Sequence, residues 1–228
     1  MIKGRRQLFY IAAMAFIMLL TIIGAAAETL SVRVEKAVDG DTLRLKDGRL
    51  VRYLGIDAPE IDHRDNLTDP YGLEAFHLNA EYVDNKTVVL EFDQEHRDHY
   101  GRLLAYVFTR RGILVNQALL EKGLAYVLYN PLNIQHFDVL LNAQRFAIKH
   151  KVGIWDDKKK GQGPYIGNTR SKRFHLNRCR FGQKIPDSHR IIFKDLSEAY
   201  WRGYAPCAYC MPSPIRKIQQ IRKGRGVK

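Results

Sequence analysis

Two Asp-Gly pairs, Asp39-Gly40 and Asp47-Gly48, cut residues 30–56 into three short segments. Leu30 to Val38 alternates apolar and polar residues through Leu30, Val32 and Val34, the period of a half-buried strand. Thr42 to Leu45 and Leu50 to Ile56 are also strand-like. Asp-Gly between apolar runs is a hairpin signal, because a two-residue hairpin loop needs backbone angles that Gly and Asp tolerate. The opening of the chain therefore reads as a three-stranded meander.

The segments that follow add to it. Residues 57–69 read as a polar loop. Pro70 and Tyr71 open a helix whose Leu73, Phe76, Ala80 and Val83 form one stripe. Thr87 to Phe92 and Leu103 to Thr109 are strands, with a turn at Arg111-Gly112. Leu114 to Glu121 is a short helix stopped by Gly123, and Ala125 to Leu128 is strand-like. His136 to His150 is a helix with Phe137, Leu140, Leu141, Ala147 and Ile148 facing inward. This order is mainly β with α and suits a small Greek-key barrel with packed helices. No cysteine precedes Cys179, so that barrel must hold together by its core alone.

Charge divides the chain. Residues 28–156 carry 16 Lys and Arg against 20 Asp and Glu, a balance of −4. Residues 157–228 carry 18 against 4, a balance of +14. A basic surplus of that size favours a polyanionic partner, with a membrane surface as the rival. The N-terminal residues are a targeting segment: Lys3, Arg5 and Arg6 precede an apolar stretch from Leu8 to Ala27 that ends in Ala25-Ala26-Ala27. A cleaved secretory signal over 1–27 and an uncleaved membrane anchor over residues 8–27 both fit. A twin-arginine signal would rest on Arg5-Arg6 alone. Each exports the chain, to the periplasm, the medium or the outer face of a membrane.

Beyond the barrel, residues 157–171 (Lys158-Lys-Lys160, Gly161, Gly163, Pro164) read as a linker. Residues 172–213 read as a small second unit, and 214–228 as a basic tail with little to bury, expected to be disordered. In the second unit His175-x₃-Cys179 and Cys207-x₂-Cys210 place four N/S ligands in two close pairs, a pattern suited to a closed tetrahedral Zn²⁺ site. A Cys207–Cys210 disulfide and free structural thiols are the alternatives. The remaining histidines have no metal-ligand spacing.

The chemistry-bearing residues gather around the first turn. Asp41, Asp57 and Glu60 are candidate metal-site acids, and the backbone carbonyl of Ala58 adds an oxygen. Ca²⁺ takes six to eight oxygens in flexible geometry, so two carboxylates, a carbonyl and water suffice. With no His or Cys close in sequence, Zn²⁺ does not suit this site. Asp and Gly also favour turns regardless of function. The arginines shift the balance: Arg52 lies five residues before Asp57, and Arg102 follows Asp98-His-Tyr-Gly101 in a turn between strands. A guanidinium stays charged and can bind two phosphoryl oxygens at once.

Val38-Asp-Gly-Asp-Thr42, Arg52-Tyr-Leu-Gly-Ile-Asp-Ala-Pro-Glu60, Tyr71-Gly-Leu-Glu-Ala75, Asp98-His-Tyr-Gly-Arg-Leu-Leu-Ala-Tyr106 and Gly153-Ile-Trp155 occur in register. Together they resemble the staphylococcal (micrococcal) nuclease family over about residues 30–156. The resemblance implies an OB-fold, a five-stranded β-barrel with about three helices, and Ca²⁺-dependent cleavage of DNA and RNA, with 5′-oxygen as leaving group. It implies Asp41 and Asp57 as Ca²⁺ carboxylates, Ala58 as a main-chain ligand, Glu60 as general base, and Arg52 and Arg102 as phosphate-binding arginines. Asp39 and Thr42 match positions lining the metal pocket, and Tyr100 and Tyr129 fall near nucleotide-contacting tyrosines. Phe174-His-Leu-Asn-Arg-Cys179 and Ala199-x₃-Gly203-Tyr-Ala-Pro-Cys-Ala-Tyr-Cys-Met-Pro212 resemble the Ada-type metal-binding domain. His175 stands where that family has its first cysteine, so the resemblance carries over a metal site and a DNA contact but no alkyl transfer.

Two functions compete on this reading. One is an exported nuclease whose basic C-terminal unit holds nucleic acid while the barrel cuts it. The other is a catalytically weak nucleic-acid- or protein-binding OB-fold module, which the joint presence of Arg52, Asp57, Glu60 and Arg102 disfavours.

Overall fold

The structure, a computed structural model, describes residues 28–156 and 162–225. Strands β1 (Thr29–Ala37), β2 (Thr42–Leu45) and β3 (Leu50–Tyr53) form the expected meander, and β7 (Thr87–Glu91) and β8 (Leu103–Thr109) complete a closed five-stranded barrel. Its order is β1-β2-β3-β8-β7. Closure needs two devices. Strand β1 pairs with β7 through residues 29–33 and with β2 from Val34, and its register breaks between Val34 and Lys36. Such an irregularity bends the strand so that it can serve two neighbours. Strand β3 pairs with β8 in parallel, Val51 opposite Leu103 and Arg52 opposite Leu104.

The barrel core contains Val34, Leu43, Leu45, Val51, Leu90 and Val107, each no more than 1% exposed. Three helices cover it: α1 (Gly72–Val83), α2 (Val115–Glu121) and α3 (Phe137–His150). The stripe expected on α1 is corrected: its buried face is Gly72, Ala75, Asn79 and Val83, Phe76 and Ala80 are half-buried beside it, and Leu73 is exposed, because the fully buried Asn79 turns the face toward Tyr53 and Asp39. Short strands β4 (Ile56–Asp57) and β9 (Tyr126–Val127) pair outside the barrel, and β5 (Ile61–Asp62) pairs with β6 (Leu67–Thr68) in the segment read as a loop. At the end of α2 the chain returns over the turn Gly153–Trp155, and two glycines meet. Gly123 has φ +64° and Gly153 φ +59°; a Cβ on Gly153 would lie 2.2 Å from the Gly123 carbonyl oxygen. Only glycine combines that backbone angle with so close an approach.

A second sheet lies beyond the barrel. Its strands are β10 (Gln162–Asn168), β11 (Arg173–Leu176), β12 (Arg190–Asp195) and β13 (Ala205–Pro206), in the order β12-β10-β11-β13. Helices α4 (Arg180–Gln183) and α5 (Leu196–Trp201) accompany it, with a core of Tyr165, Phe174, Phe193, Ala199 and Tyr204. Two sequence expectations are corrected here. Residues 162–168, read as linker, form the strand β10, which pairs with both β11 and β12 and buries Tyr165 and Ile166. Glycines in a chain paired on both sides mark close backbone approach, here to Phe193 and Lys194, rather than flexibility. The tail read as disordered forms α6 (Pro214–Arg225), anchored by Ile215 at 2% exposure. Helix start chemistry was present in Pro214, ahead of Ile215 and Ile218.

The second sheet leans on the barrel. Tyr200 meets the rings of Trp155 at 5.1 Å, Phe174 at 5.2 Å and Tyr126 at 5.9 Å. Gln144 of α3, fully buried, accepts from Val127 N and donates to Tyr200 O, both at 2.6 Å. No helix among the described residues is long and apolar enough to cross a membrane. The targeting segment 1–27 lies outside the described residues.

Candidate active site

Asp41 is placed by the turn between β1 and β2. Asp39 Oδ1 accepts from Asp41 N at 2.9 Å, and Asp41 O accepts from Tyr53 N at 2.8 Å. Asn79 supports the turn from behind: its amide donates to Asp39 O at 2.7 Å and its oxygen accepts from Tyr53 Oη at 2.6 Å. Gly40 is required by packing, since a Cβ there would come within 2.7 Å of the Cβ atoms of Ala58 and Ala75. This draws the Asp41 turn against the segment carrying Asp57, Ala58 and Glu60, and Asp41 Oδ2 accepts from Ala58 N at 2.6 Å.

Arg52, on β3, joins the two acidic segments. Its Nη1 lies 2.8 Å from Asp41 Oδ2 and its Nη2 2.7 Å from Asp57 Oδ1; Nη1 also donates to Ile56 O at 3.0 Å. Asp57 lies on β4 opposite Tyr126 of β9, and the Tyr126 hydroxyl donates to Asp57 Oδ2. Arg102, at the entry to β8, donates through Nε to Asp98 Oδ2 at 2.7 Å. Asp98 also accepts from the backbone of Tyr100 and Arg102, so the turn that aims the guanidinium is held three times.

Asp39, Asp41, Arg52, Asp57, Glu60 and Arg102 line one cleft of about 590 Å³. Asp41, Arg52, Asp57, Glu60 and Arg102, distant in sequence, are thus brought together. Tyr100 and Tyr129 are not part of that lining. Tyr100 is 71% exposed against His99 and Arg102, and Tyr129 packs edge-on to Phe137 at 5.2 Å. Tyr126 takes the place at the carboxylates instead. The second sheet and α6 add two further basic groups to the cleft, Arg173 and Arg216.

Arg216 is the residue that sequence reading passes over. It donates to Asp57 through Nη1 (3.0 Å to Oδ2) and Nη2 (2.8 Å to Oδ1), and to Glu60 Oε1 through Nε (2.8 Å) and Nη2 (2.5 Å). It lies 159 positions from Asp57, and nothing in a basic tail distinguishes this arginine from its neighbours.

The electrostatics of the carboxylates are set by burial and by two arginines. Burial holds the Asp41 carboxyl well above its ordinary range; Arg52 opposes this, and the nearby Asp39 and Asp57 charges reinforce it. Burial pushes Asp57 up as well, but Arg52 and then Arg216 outweigh it and bring that carboxyl below the ordinary range. Oxygen-only donors, two of them buried carboxylates within reach of one guanidinium, suit a hard cation such as Ca²⁺ and not a thiolate- or imidazole-preferring metal.

The second sheet carries a different donor set. The ligand atoms of His175, Cys179, Cys207 and Cys210 all lie within 4.8 Å of one another. All three cysteines are free, and Cys179 Sγ lies 3.5 Å from His175 Nδ1. A tetrahedral site with bonds of about 2.0–2.3 Å has ligand separations of about 3.3–3.8 Å, so small side-chain adjustments close this set on an ion. Burial, then Arg173, lowers the His175 pKa and favours the neutral imidazole a metal needs. Burial pushes the Cys210 thiol up to about 12, a cost that a bound cation removes.

A closed OB-type barrel that turns carboxylates and arginines into one cleft defines a nuclease-type barrel. The staphylococcal nuclease homologue family matches residues 50–157. The chain is 36% identical over 129 residues to a thermonuclease of Staphylococcus intermedius, covering 55% of this chain and 76% of that protein. It is 40% identical over 134 residues to the SPbeta prophage-derived endonuclease YokF and 39% over 131 residues to endonuclease YncB, both of Bacillus subtilis. These alignments cover 56% and 55% of this chain but only 45% and 61% of those relatives. The chain belongs to the staphylococcal nuclease family. The matched range ends at residue 157, before the second sheet and α6.

Proposed function

We propose that the chain is an exported Ca²⁺-dependent phosphodiesterase that hydrolyses DNA, RNA or both by in-line attack of water on phosphorus. The observation that carries this reading is the convergence of Asp41, Asp57, Glu60, Arg52 and Arg102 on one cleft. Asp41, Asp57 and the carbonyl of Ala58 would hold Ca²⁺. When bound, the ion supplies a Lewis acid that offsets charge developing on the phosphoryl group. Glu60, a third exposed at the edge of the cleft, takes the proton from the attacking water. Arg102 uses only Nε on Asp98 among the described residues, which leaves its terminal nitrogens to bind equatorial phosphoryl oxygens. Arg52 orients the two metal carboxylates and adds its positive charge beside the same oxygens.

The barrel of residues 28–156 carries −4 and gains little from general phosphate attraction. The basic unit of residues 172–213 supplies it, stapled by Zn²⁺ at His175, Cys179, Cys207 and Cys210. Beside that cluster Arg180 stacks on Phe181 (4.8 Å) and on Tyr209 (4.5 Å), rings that are 45% and 52% exposed. Exposed aromatics with interleaved arginine suit stacking on unpaired bases. The test is hydrolysis of DNA and RNA by the purified protein in Ca²⁺, Mg²⁺ and EDTA, with bound zinc measured alongside, and the same assay on Glu60→Gln. Ca²⁺-dependent cleavage that falls sharply in the variant is expected; full activity in EDTA or in Glu60→Gln overturns the assignment.

A further inference from the structure

We infer that α6 is an autoinhibitory strap: Arg216 engages Asp57, one of the two proposed Ca²⁺ carboxylates, together with Glu60, the proposed base, and Ca²⁺ must displace it before the cleft can act. This rests on the reading of Asp57 as a metal ligand and Glu60 as the base.

The argument is a count of acceptor positions. An ionised carboxylate offers about four lone-pair directions. Asp57 Oδ1 accepts from Arg52 Nη2 at 2.7 Å and Arg216 Nη2 at 2.8 Å. Asp57 Oδ2 accepts from the Tyr126 hydroxyl and from Arg216 Nη1 at 3.0 Å. All four directions are filled, two of them by Arg216, so a cation cannot gain Asp57 while that guanidinium stays. Glu60 is affected as well. Its Oε1 accepts twice from Arg216, so the guanidinium stands where the attacking water would meet that oxygen. One side chain thus occupies both the metal ligand and the base.

Arg216 is held there by the fold. Ile215 is buried, its N–H donates to Asp69 Oδ1 at 3.0 Å, and Asp69 Oδ2 accepts from Glu60 N at 3.2 Å. The same aspartate therefore anchors the start of α6 and the segment carrying Glu60. The attachment is also limited. A cavity of about 350 Å³ lies beside the helix start, between Pro214 and Arg216 on one side and Tyr126, Trp155 and Tyr200 on the other. Arg216 itself is held in the cleft by ionic hydrogen bonds to Asp57 and Glu60, and a divalent ion competing for the same carboxylates can release it.

The experiment measures Ca²⁺ binding by calorimetry on the purified zinc-loaded protein and its Arg216→Met variant, and hydrogen exchange across residues 213–221 with and without Ca²⁺. Methionine keeps the apolar stem and removes the charge. The strap predicts a Ca²⁺ dissociation constant about tenfold or more lower in Arg216→Met. It also predicts loss of amide protection over 213–221 when Ca²⁺ is added to the unmodified protein, a readout that needs no variant. Equal Ca²⁺ affinities, or protection that persists in saturating Ca²⁺, overturn the strap and leave the nuclease reading standing. Absence of Ca²⁺ binding in both proteins overturns the metal reading and the strap with it.

Discussion

Replacing Arg102 with alanine should separate catalysis from folding. The guanidinium is 29% exposed and bonded to Asp98, which is itself 14% exposed. A partly exposed ion pair of this kind is worth about 0–1 kcal/mol. Its distant approach to the Tyr100 ring, 5.6 Å, adds about 0.5 kcal/mol at most at such an exposed site. Asp98 is not orphaned by the change, because the backbone amides of Tyr100 and Arg102 still donate to it at 2.9 and 3.0 Å. The melting temperature should therefore fall by only a few degrees, at roughly 2–4 °C per kcal/mol for a chain of this size. The kinetic effect is of another order. Losing a preorganised donor to a developing phosphoryl charge costs about 10²–10³ in kcat, or about 2.7–4 kcal/mol. Initial rates on a defined DNA substrate at saturating Ca²⁺, with thermal unfolding of the same preparation, measure both. A variant that keeps kcat within about twofold, or that unfolds by much more than the ion pair accounts for, refutes the assignment of Arg102 to the transition state. Arg52→Ala provides the contrast. Arg52 is 13% exposed between two buried carboxylates, and removing one partner of such a set costs about 3–5 kcal/mol of stability.

Asn79→Ala should cost about 1–3 kcal/mol in urea unfolding, because it strands the buried Tyr53 hydroxyl, and it should also weaken Ca²⁺ binding by loosening the Asp39–Asp41 turn. Cys207→Ser should lower the zinc content measured by atomic emission from about one ion per chain and expose residues 162–213 to proteolysis while the barrel survives, since the barrel has a core cluster separate from that of the second sheet. The pH dependence of stability should carry an Asp98 signature. Burial raises its carboxyl, but the Arg102 hydrogen bond, the Arg102 charge and the backbone amides of Arg102 and Tyr100 together outweigh burial and hold it below its ordinary value. A carboxyl depressed in the folded state stabilises the protein above its unfolded pKa of about 3.9 and loses that contribution as pH falls through the folded value. Urea midpoints measured from pH 5 to pH 2.5 should therefore decline less steeply in Asp98→Asn than in the unmodified protein.

How far this molecule could be read from its sequence depends on how local each signal is. The meander was legible because strand period and Asp-Gly turns act over a few residues; β1 and β2 fall where the pattern puts them, while the strand read as Leu50 to Ile56 ends at Tyr53 and Ile56 pairs outside the barrel in β4. The three barrel helices were legible for the same reason, through stripes such as Leu140, Leu141 and Ala147. Asp41, Arg52, Asp57, Glu60 and Arg102 stood out as motifs, and the barrel gathers all five in one cleft. Linker composition misled at residues 162–168, because glycine and proline signal loops when read locally and close packing when a strand is paired on both sides.

The sequence by itself determined the barrel, its short turns and the identity of the acidic and arginine residues, since each follows from contacts or spacings within one or two elements. Only the tertiary structure decided which tyrosine reaches Asp57, because the pairing of β9 with β4 sets Tyr126 opposite it while Tyr129 packs on Phe137. Only it could show that Asn79 holds the Asp39–Asp41 turn and that Arg216, 159 residues from Asp57, bonds to that carboxylate. The physical reason is the same in each case. A side chain's charge is written in the sequence, but its partner is chosen by burial, register and the return of distant chain, and in this protein the cation that meets Asp57 and Glu60 arrives from a helix whose own residues looked like tail.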